Sequence, residues 1–343
     1  MLERGIAALL VTDLENVRYL SGYTGSAGTI LLTADSGVFF TDGRYTLQAR
    51  DEVRDLNVVI EPGTKPSELN KHLQALDRPV SFEADQVTVT RLQRWNEEAA
   101  GVSFVPTTGI VQDLRLIKDP GEIDLIRQSV EIVDQVFDQV VGVLSPGMTE
   151  REVAIEIDFR MRRLGADGVS FDTIVASGPC SAHPHHHPTN RPLQEGDLVT
   201  MDFGALRQGY CSDITRTVAM GEPGPAQAAI YQAVLNAQEE AIDAVRPGMK
   251  GMDVDAVARK AIERAGYGEY FTHGLGHSLG REVHDGQAFG KAVEQMVAVG
   301  MVATIEPGIY VEGVGGVRIE DDVVVTPDGC EVLTRSPKKL LCI

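Results

Sequence analysis

Asp202, Asp213, His277, Glu306 and Glu320 are the side chains of this chain whose types and settings could do chemistry together. Asp202 ends the apolar run Leu198-Val199-Thr200-Met201, and Asp213 follows on what reads as a return strand after a turn at Gln208-Gly209. Glu306 lies in Ala303-Thr304-Ile305-Glu306-Pro307-Gly308, and Glu320 in Gly316-Val317-Arg318-Ile319-Glu320. Burying one carboxylate unpaired costs several kcal/mol, and four converging carboxylates repel. Something positive must hold them. Two divalent metal ions would offset the four charges, with a neutral His277 completing the set. A water bridging such a pair is largely deprotonated at neutral pH. That supplies an oxygen nucleophile, with the ions roughly 3.5–4 Å apart. The set suits manganese, cobalt or zinc.

Two further clusters are rich in histidine. His273-Gly274-Leu275-Gly276-His277-Ser278-Leu279-Gly280, followed by His284-Asp285, holds three of the eight histidines of the chain. Its glycines let backbone approach a ligand closely. The tract His183-Pro184-His185-His186-His187-Pro188 reads either as metal-binding or as an exposed, inert loop.

These residues need elements to carry them, and the chain supplies them in two parts. Its 343 residues favour two domains. Residues 1–112 read as α/β: short strands at Ile6–Val11, Thr29–Thr33, Gly37–Thr41 and Asn57–Glu61, with helices over Arg44–Arg54 and Lys65–Leu76. Residues 113–343 begin with a helix whose start is marked by Asp119, Pro120 and Glu122. Ile126, Val130, Val133, Phe137, Val140 and Leu144 give it one apolar face. Thr149 and Glu152 form a capping-box pattern for a second helix that stops at Gly165. This arrangement recurs. Ser145-Pro146-Gly147-Met148 returns as Arg246-Pro247-Gly248-Met249, with Gly147 and Gly248 101 positions apart, as are Gly165 and Gly266. Each copy leads into a hairpin, roughly 198–218 and 301–325. The reading is a pseudo-twofold repeat with acids from both hairpins meeting at its axis.

Composition narrows the partners. A net charge of -19 argues against nucleic acid and anionic membrane. Four cysteines with no CxxC spacing read as reduced thiols of a cytoplasmic protein. Met1 runs straight into Gly5–Val11, without a basic segment and long apolar run, so no signal peptide is expected. No stretch reaches the roughly 18 apolar residues of a membrane span.

The runs MDFGALRQGYCSDITRTV, GLGHSLGREVHD, TIEPGIY and GVRIEDDVVV, in this order, resemble the proline-specific branch of the pita-bread metallopeptidases: Xaa-Pro dipeptidases (prolidases) and Xaa-Pro aminopeptidases. Asn16-Val17-Arg18-Tyr19-Leu20-Ser21-Gly22 and Thr41-Asp42-Gly43-Arg44-Tyr45 resemble the smaller domain that accompanies that branch and creatinase. The resemblance implies an α+β fold, with a C-terminal pita-bread domain behind an N-terminal creatinase-like domain. Methionine aminopeptidases generally lack the smaller domain, and creatinase needs no metal, so both fit less well. All five metal positions carry the family's residue type. The resemblance further implies that His185, 17 before Asp202, and His284, seven beyond His277, face the substrate and the tetrahedral intermediate. It sets His273 near the substrate proline, Arg318 as an orienting arginine and Tyr310 as a site-lining tyrosine. Glu306 would carry protons between the nucleophilic water and the leaving nitrogen. The family also implies a homodimer, with manganese foremost among the metals.

The expected activity is hydrolysis of the Xaa-Pro bond of a small peptide with proline in second position. The imide nitrogen of proline carries no N–H, so ordinary peptidases that read this donor fail. A dipeptidase must bind the proline carboxylate. Arg44 is the candidate cation, offered by the N-terminal domain; its other readings are an exposed turn residue or an ion pair with Asp42. An aminopeptidase acting on tripeptides and longer peptides is the alternative. A non-catalytic peptide-binding module on the same fold is the remote one.

Overall fold

The computed structural model describes residues 1–63 and 66–343. Its contacts divide it into two units, Met1–Arg115 and Leu116–Ile343; the sequence reading set the division after residue 112.

The first unit is built on a six-stranded mixed sheet in the order Asn57–Glu61, Gly37–Asp42, Thr29–Thr33, Ala8–Val11, Val80–Glu83, Phe104–Thr107. The four expected strands are its first four. The last two strands, and the helices Leu14–Ser21 and Val89–Glu98, were not anticipated. Val80–Glu83 is too short for alternation to show, and pairing with Ala8–Val11 and Phe104–Thr107 makes it a strand. Glu83 is buried there because it is satisfied: it accepts from Thr12 and Asp13 N–H and from Asn16 Nδ2 at 2.7–2.9 Å. The helix expected over Arg44–Arg54 is a 3₁₀ turn, Gly43–Tyr45, followed by Thr46–Glu52. The helix expected over Lys65–Leu76 is Ser67–Gln74; Lys65 lies outside the described residues.

The second unit carries the repeat. Helices Pro120–Val141 and Glu150–Arg163 return as Pro225–Ala244 and Gly251–Arg264. The expected capping boxes at Asp119/Glu122 and Thr149/Glu152 are both present. The correspondence extends to single bonds. Gly147 N–H donates to the Leu193 carbonyl and Gly248 N–H to Val297. Leu193 answers to Met148, as Val297 does to Met249. Gly147, Gly165, Gly248 and Gly266 all lie at φ between 86° and 100°, a left-handed conformation that only glycine adopts cheaply.

Each helix pair packs on a small antiparallel sheet. The first is Ile214–Ala219, Leu198–Phe203 and Ile174–Ser177; the second is Val302–Ile305, Asp321–Thr326 and Gly329–Val332. Val133, Val136, Phe137, Val153 and Ile157 fill the first core against Val199, Met201 and Phe203. Val234, Ala237, Ala241, Val254 and Ala258 fill the second against Ala303, Ile305 and Val323. The C-terminal residues extend the first sheet: Ala219 N–H donates to Leu341, and Ile343 N–H to Ala219. Among the described residues no helix is long and apolar enough to cross a membrane.

Candidate metal centre

The two hairpins deliver the acids in pairs. Asp202 stands opposite Thr215 on the first, just beyond Asp213. On the second, Ile305 pairs with Asp321, which sets Glu306 and Glu320 one step beyond that pair. A bond from Glu320 N–H to the Thr215 carbonyl at 3.1 Å ties the hairpins together. All four acids, with His277, line one cleft of about 530 Å³. His277 Nε2 lies 3.6 Å from Asp213 Oδ2 and 3.6 Å from Glu306 Oε1. Single ligand atoms of Asp213, His277 and Glu320 all fall within 4.8 Å of one another.

The electrostatics of this group is unbalanced. Arg318 is the cation among the cleft-lining residues, and its Nη2 donates to Asp202 Oδ2 at 2.5 Å. Burial, then repulsion from Glu320 and Asp202, pushes the Asp213 carboxyl well up. Burial pushes Glu306 up to about 8, against the pull of Arg318. Glu320 rises through burial and the charges of Glu306 and Asp202. His277 is pushed down to about 4 by burial and then by His284, so its ring is neutral. Asp202 Oδ1, Asp213 Oδ1 and Glu320 Oε1 are buried without a hydrogen-bond partner among the described residues. Buried oxygens are ordinarily satisfied. Orphaned carboxylate oxygens beside a neutral imidazole are the donor set that hard and borderline divalent ions take. The residues present therefore fit a metal centre.

A layer of side chains fixes this set. Thr215 Oγ1 donates to Glu320 Oε2 at 2.6 Å and accepts from Arg318 Nε at 3.1 Å. Asp322, fully buried, accepts the Asp213 N–H at 3.0 Å. Arg216 donates to Asp321 at 2.7 Å directly behind Glu320. Arg318 Nη1 reaches the Tyr310 hydroxyl at 2.8 Å and the Pro184 carbonyl at 3.3 Å.

The other expected site residues are distributed as follows. His185, His273 and His284 line the cleft with the acids. The His284 ring centroid is 4.1 Å from that of His277. Tyr310 lies between two cleft-lining residues, bonded to Arg318 and to His273. Arg44 lies in the first unit, with Nε and Nη2 forked onto Asp42 at 2.9 and 2.8 Å. Its guanidinium is 73% exposed, so the ion pair does not bury it. The histidine tract divides: His183, His185 and His187 are exposed, while His186 turns inward onto Glu150.

Sequence reasoning missed Phe171, Asp172, Ile174 and Val283, which complete the cleft wall. It also missed Thr215, Asp322 and Glu150. Nothing in the local pattern distinguishes these from ordinary strand and helix residues. The inward-facing threonines of Ile214-Thr215-Arg216-Thr217 were the available signal, since polar residues in a fully buried strand need partners.

The comparisons with known proteins agree with this geometry. Residues 124–327 match the model of metallopeptidase family M24, and residues 1–117 that of the creatinase/prolidase N-terminal domain. A solved structure described as an Xaa-Pro dipeptidase from Bacillus anthracis is 41% identical, with TM-score 0.97 over 99% of this chain and 96% of that one. An X-Pro aminopeptidase from Thermotoga maritima MSB8 is 39% identical, with TM-score 0.92 over 99% of each chain. The Xaa-Pro dipeptidase of Pyrococcus horikoshii is 36% identical over 99% of this chain and 95% of its own. With residues 124–327 matching that family's model, residues 1–117 matching the creatinase/prolidase N-terminal domain, and relatives 36–41% identical over nearly the whole chain, this chain belongs to metallopeptidase family M24 and is a peptidase.

Proposed function

We propose that the chain is an Xaa-Pro dipeptidase, with Asp202, Asp213, His277, Glu306 and Glu320 holding two divalent ions. The observation that carries the reading is the convergence of four carboxylates, three of them buried with an orphaned oxygen, on one neutral histidine. When bound, such ions supply a nucleophilic oxygen at neutral pH and polarise the scissile carbonyl. Glu306 is the proton carrier: a carboxylate beside the nucleophilic oxygen can take a proton and return it to the leaving nitrogen. His185 and His284 face the substrate from the cleft wall and donate to oxygens that gain charge. His273, pushed down to about 4 by burial and Arg318, is neutral and offers the proline ring an uncharged flank. Arg318 orients Asp202 and, through Pro184, the His185 segment.

Relatives named Xaa-Pro dipeptidase support this reading. The similarity to an X-Pro aminopeptidase supports the second reading, cleavage of longer peptides. Proline release from Met-Pro, compared with cleavage of a matched Xaa-Pro-Xaa tripeptide, separates them. Each substrate is run with manganese and with a chelator. Metal-dependent activity confined to the dipeptide is the expected result; turnover mainly of the tripeptide makes the chain an aminopeptidase.

Manganese is proposed as the metal because the set is rich in carboxylates. A cytoplasmic location is proposed from four free cysteines. A homodimer is proposed from the family resemblance, and sedimentation velocity checks it.

A further inference from the structure

The segment that carries His185 has no regular secondary structure of its own beyond the 3₁₀ turn Gly178–Ala182. A loop that places a reacting group needs outside anchorage, since a misplacement of about 1 Å can cost a factor of about 100 in rate. Glu150, the first residue of helix Glu150–Arg163, is fully buried, outside the metal centre. One carboxylate oxygen accepts from Ser177 N–H at 2.9 Å and Ser177 Oγ at 2.7 Å. The other accepts from Thr189 N–H at 3.0 Å, Thr189 Oγ1 at 2.7 Å and His186 Nε2 at 2.9 Å. These donors stand at both ends and in the middle of the segment 177–189. Burial pushes the Glu150 carboxyl up, but the bonds from Thr189, His186 and Ser177 outweigh it, and the group stays ionised.

We infer that Glu150 is a positioning residue, a buried carboxylate latch that acts through His186 and Thr189 to set His185 over the metal centre. His186 is the neighbour of His185 and turns away from the cleft that His185 lines. Every lone-pair direction of Glu150 is engaged, which makes this a hydrogen-bonded anchor. Cys180 lies close enough to complete a ligand trio with Glu150 and His186, but the Glu150 oxygens are already taken by five protein donors. The repeat supplies an internal control. The residue 101 positions beyond Glu150 is Gly251, and a Cβ there would meet the Ala288 carbonyl oxygen at 1.9 Å. The second copy therefore uses direct backbone approach at the place where the first uses a carboxylate.

The inference rests on the role given to His185 above, and a double-mutant cycle in the full chain tests both. H186L removes one of the five bonds to Glu150 from a half-buried site; H186Q keeps a donor in nearly the same place. In manganese-loaded protein, H186L is expected to lower kcat on Met-Pro about tenfold, with metal content and Tm retained, and H186Q to restore most of it. In an H185A background, H186L is expected to cost less than about twofold, because positioning matters only while His185 is there. A full tenfold loss in both backgrounds overturns the latch while leaving the role of His185 standing. An H185A enzyme as fast as its parent removes that role, and the latch with it. E150Q, which disturbs several bonds at once, is expected to repeat the H186L pattern more severely; an E150Q enzyme of parental kcat overturns the latch.

Discussion

His273 Nε2 lies 3.0 Å from the Tyr310 hydroxyl, and the two must share a single proton in one sense. The other ring nitrogen, Nδ1, faces the Gly274 carbonyl at 2.8 Å and must therefore carry the hydrogen. Nε2 is then an acceptor. The Tyr310 hydroxyl, which accepts from Arg318 Nη1, donates to it. A chain of oriented bonds thus runs from Asp202 through Arg318 and Tyr310 to His273.

Replacing Tyr310 with Phe breaks that chain in two places. Arg318 Nη1 keeps the Pro184 carbonyl, but His273 loses its only side-chain donor among the described residues. Leaving a buried polar group unsatisfied costs about 1–3 kcal/mol. Y310F is expected to lower kcat/KM on Xaa-Pro dipeptides by about tenfold while both ions stay bound. Steady-state kinetics alongside metal analysis checks this; parental kinetics would refute it.

Arg318 cannot be replaced by lysine. It serves Asp202 through Nη2, Thr215 through Nε, and Tyr310 and Pro184 through Nη1, a fork that an ammonium cannot reproduce. R318K is expected to lose about 100-fold in kcat/KM and R318A more. Breaking a buried pair costs about 3–5 kcal/mol, so a fall in Tm is expected as well. An R318K enzyme within threefold of the parent would contradict this assignment.

The metal-free protein should show an inverted pH dependence. Asp213, Glu306 and Glu320 all have folded-state pKa values raised by burial and mutual repulsion. Their contribution is fully present below the ordinary values of 3.8 for Asp213 and 4.5 for the two glutamates, and is lost as pH rises through about 8 for Glu306. In the presence of chelator, Tm should therefore fall between pH 5 and pH 9. Manganese should reverse the slope, since its ligands must be deprotonated to bind. Differential scanning calorimetry across that range decides the matter, and a chelated protein that grows more stable towards pH 9 would refute the assignment.

Arg44 gives the most exposed prediction. If it binds the substrate's terminal carboxylate, R44A should slow dipeptide turnover more than tripeptide turnover. Equal loss on both, or none, leaves Arg44 as a surface partner of Asp42.

The group of residues that converges in the cleft was legible in the sequence because burying acids is costly, so acids within apolar strands announce a purpose. The frame of the second unit was legible because its glycines are forced: Gly147, Gly165, Gly248 and Gly266 turn the chain where no other residue does so cheaply. The anchors were not legible. Glu150 reads locally as an ordinary first-turn acid of a helix. Its meaning lies in donors 27 to 39 residues away, which only the fold brings near. A residue's distance along the chain from a motif says nothing of whether it faces the cleft or supports what does. Val80–Glu83 and Phe104–Thr107 were missed because strands of four residues offer too little pattern.

The bond from Glu320 N–H to Thr215, and the split of the acids between two hairpins, have a consequence for quality control. On the proposed assignment neither half of the second unit holds all of the ligands, so neither could fray and keep a bound metal. Metal retention thus reports on the integrity of both copies at once. A preparation that holds its metal through gel filtration would then be expected to have both hairpins closed.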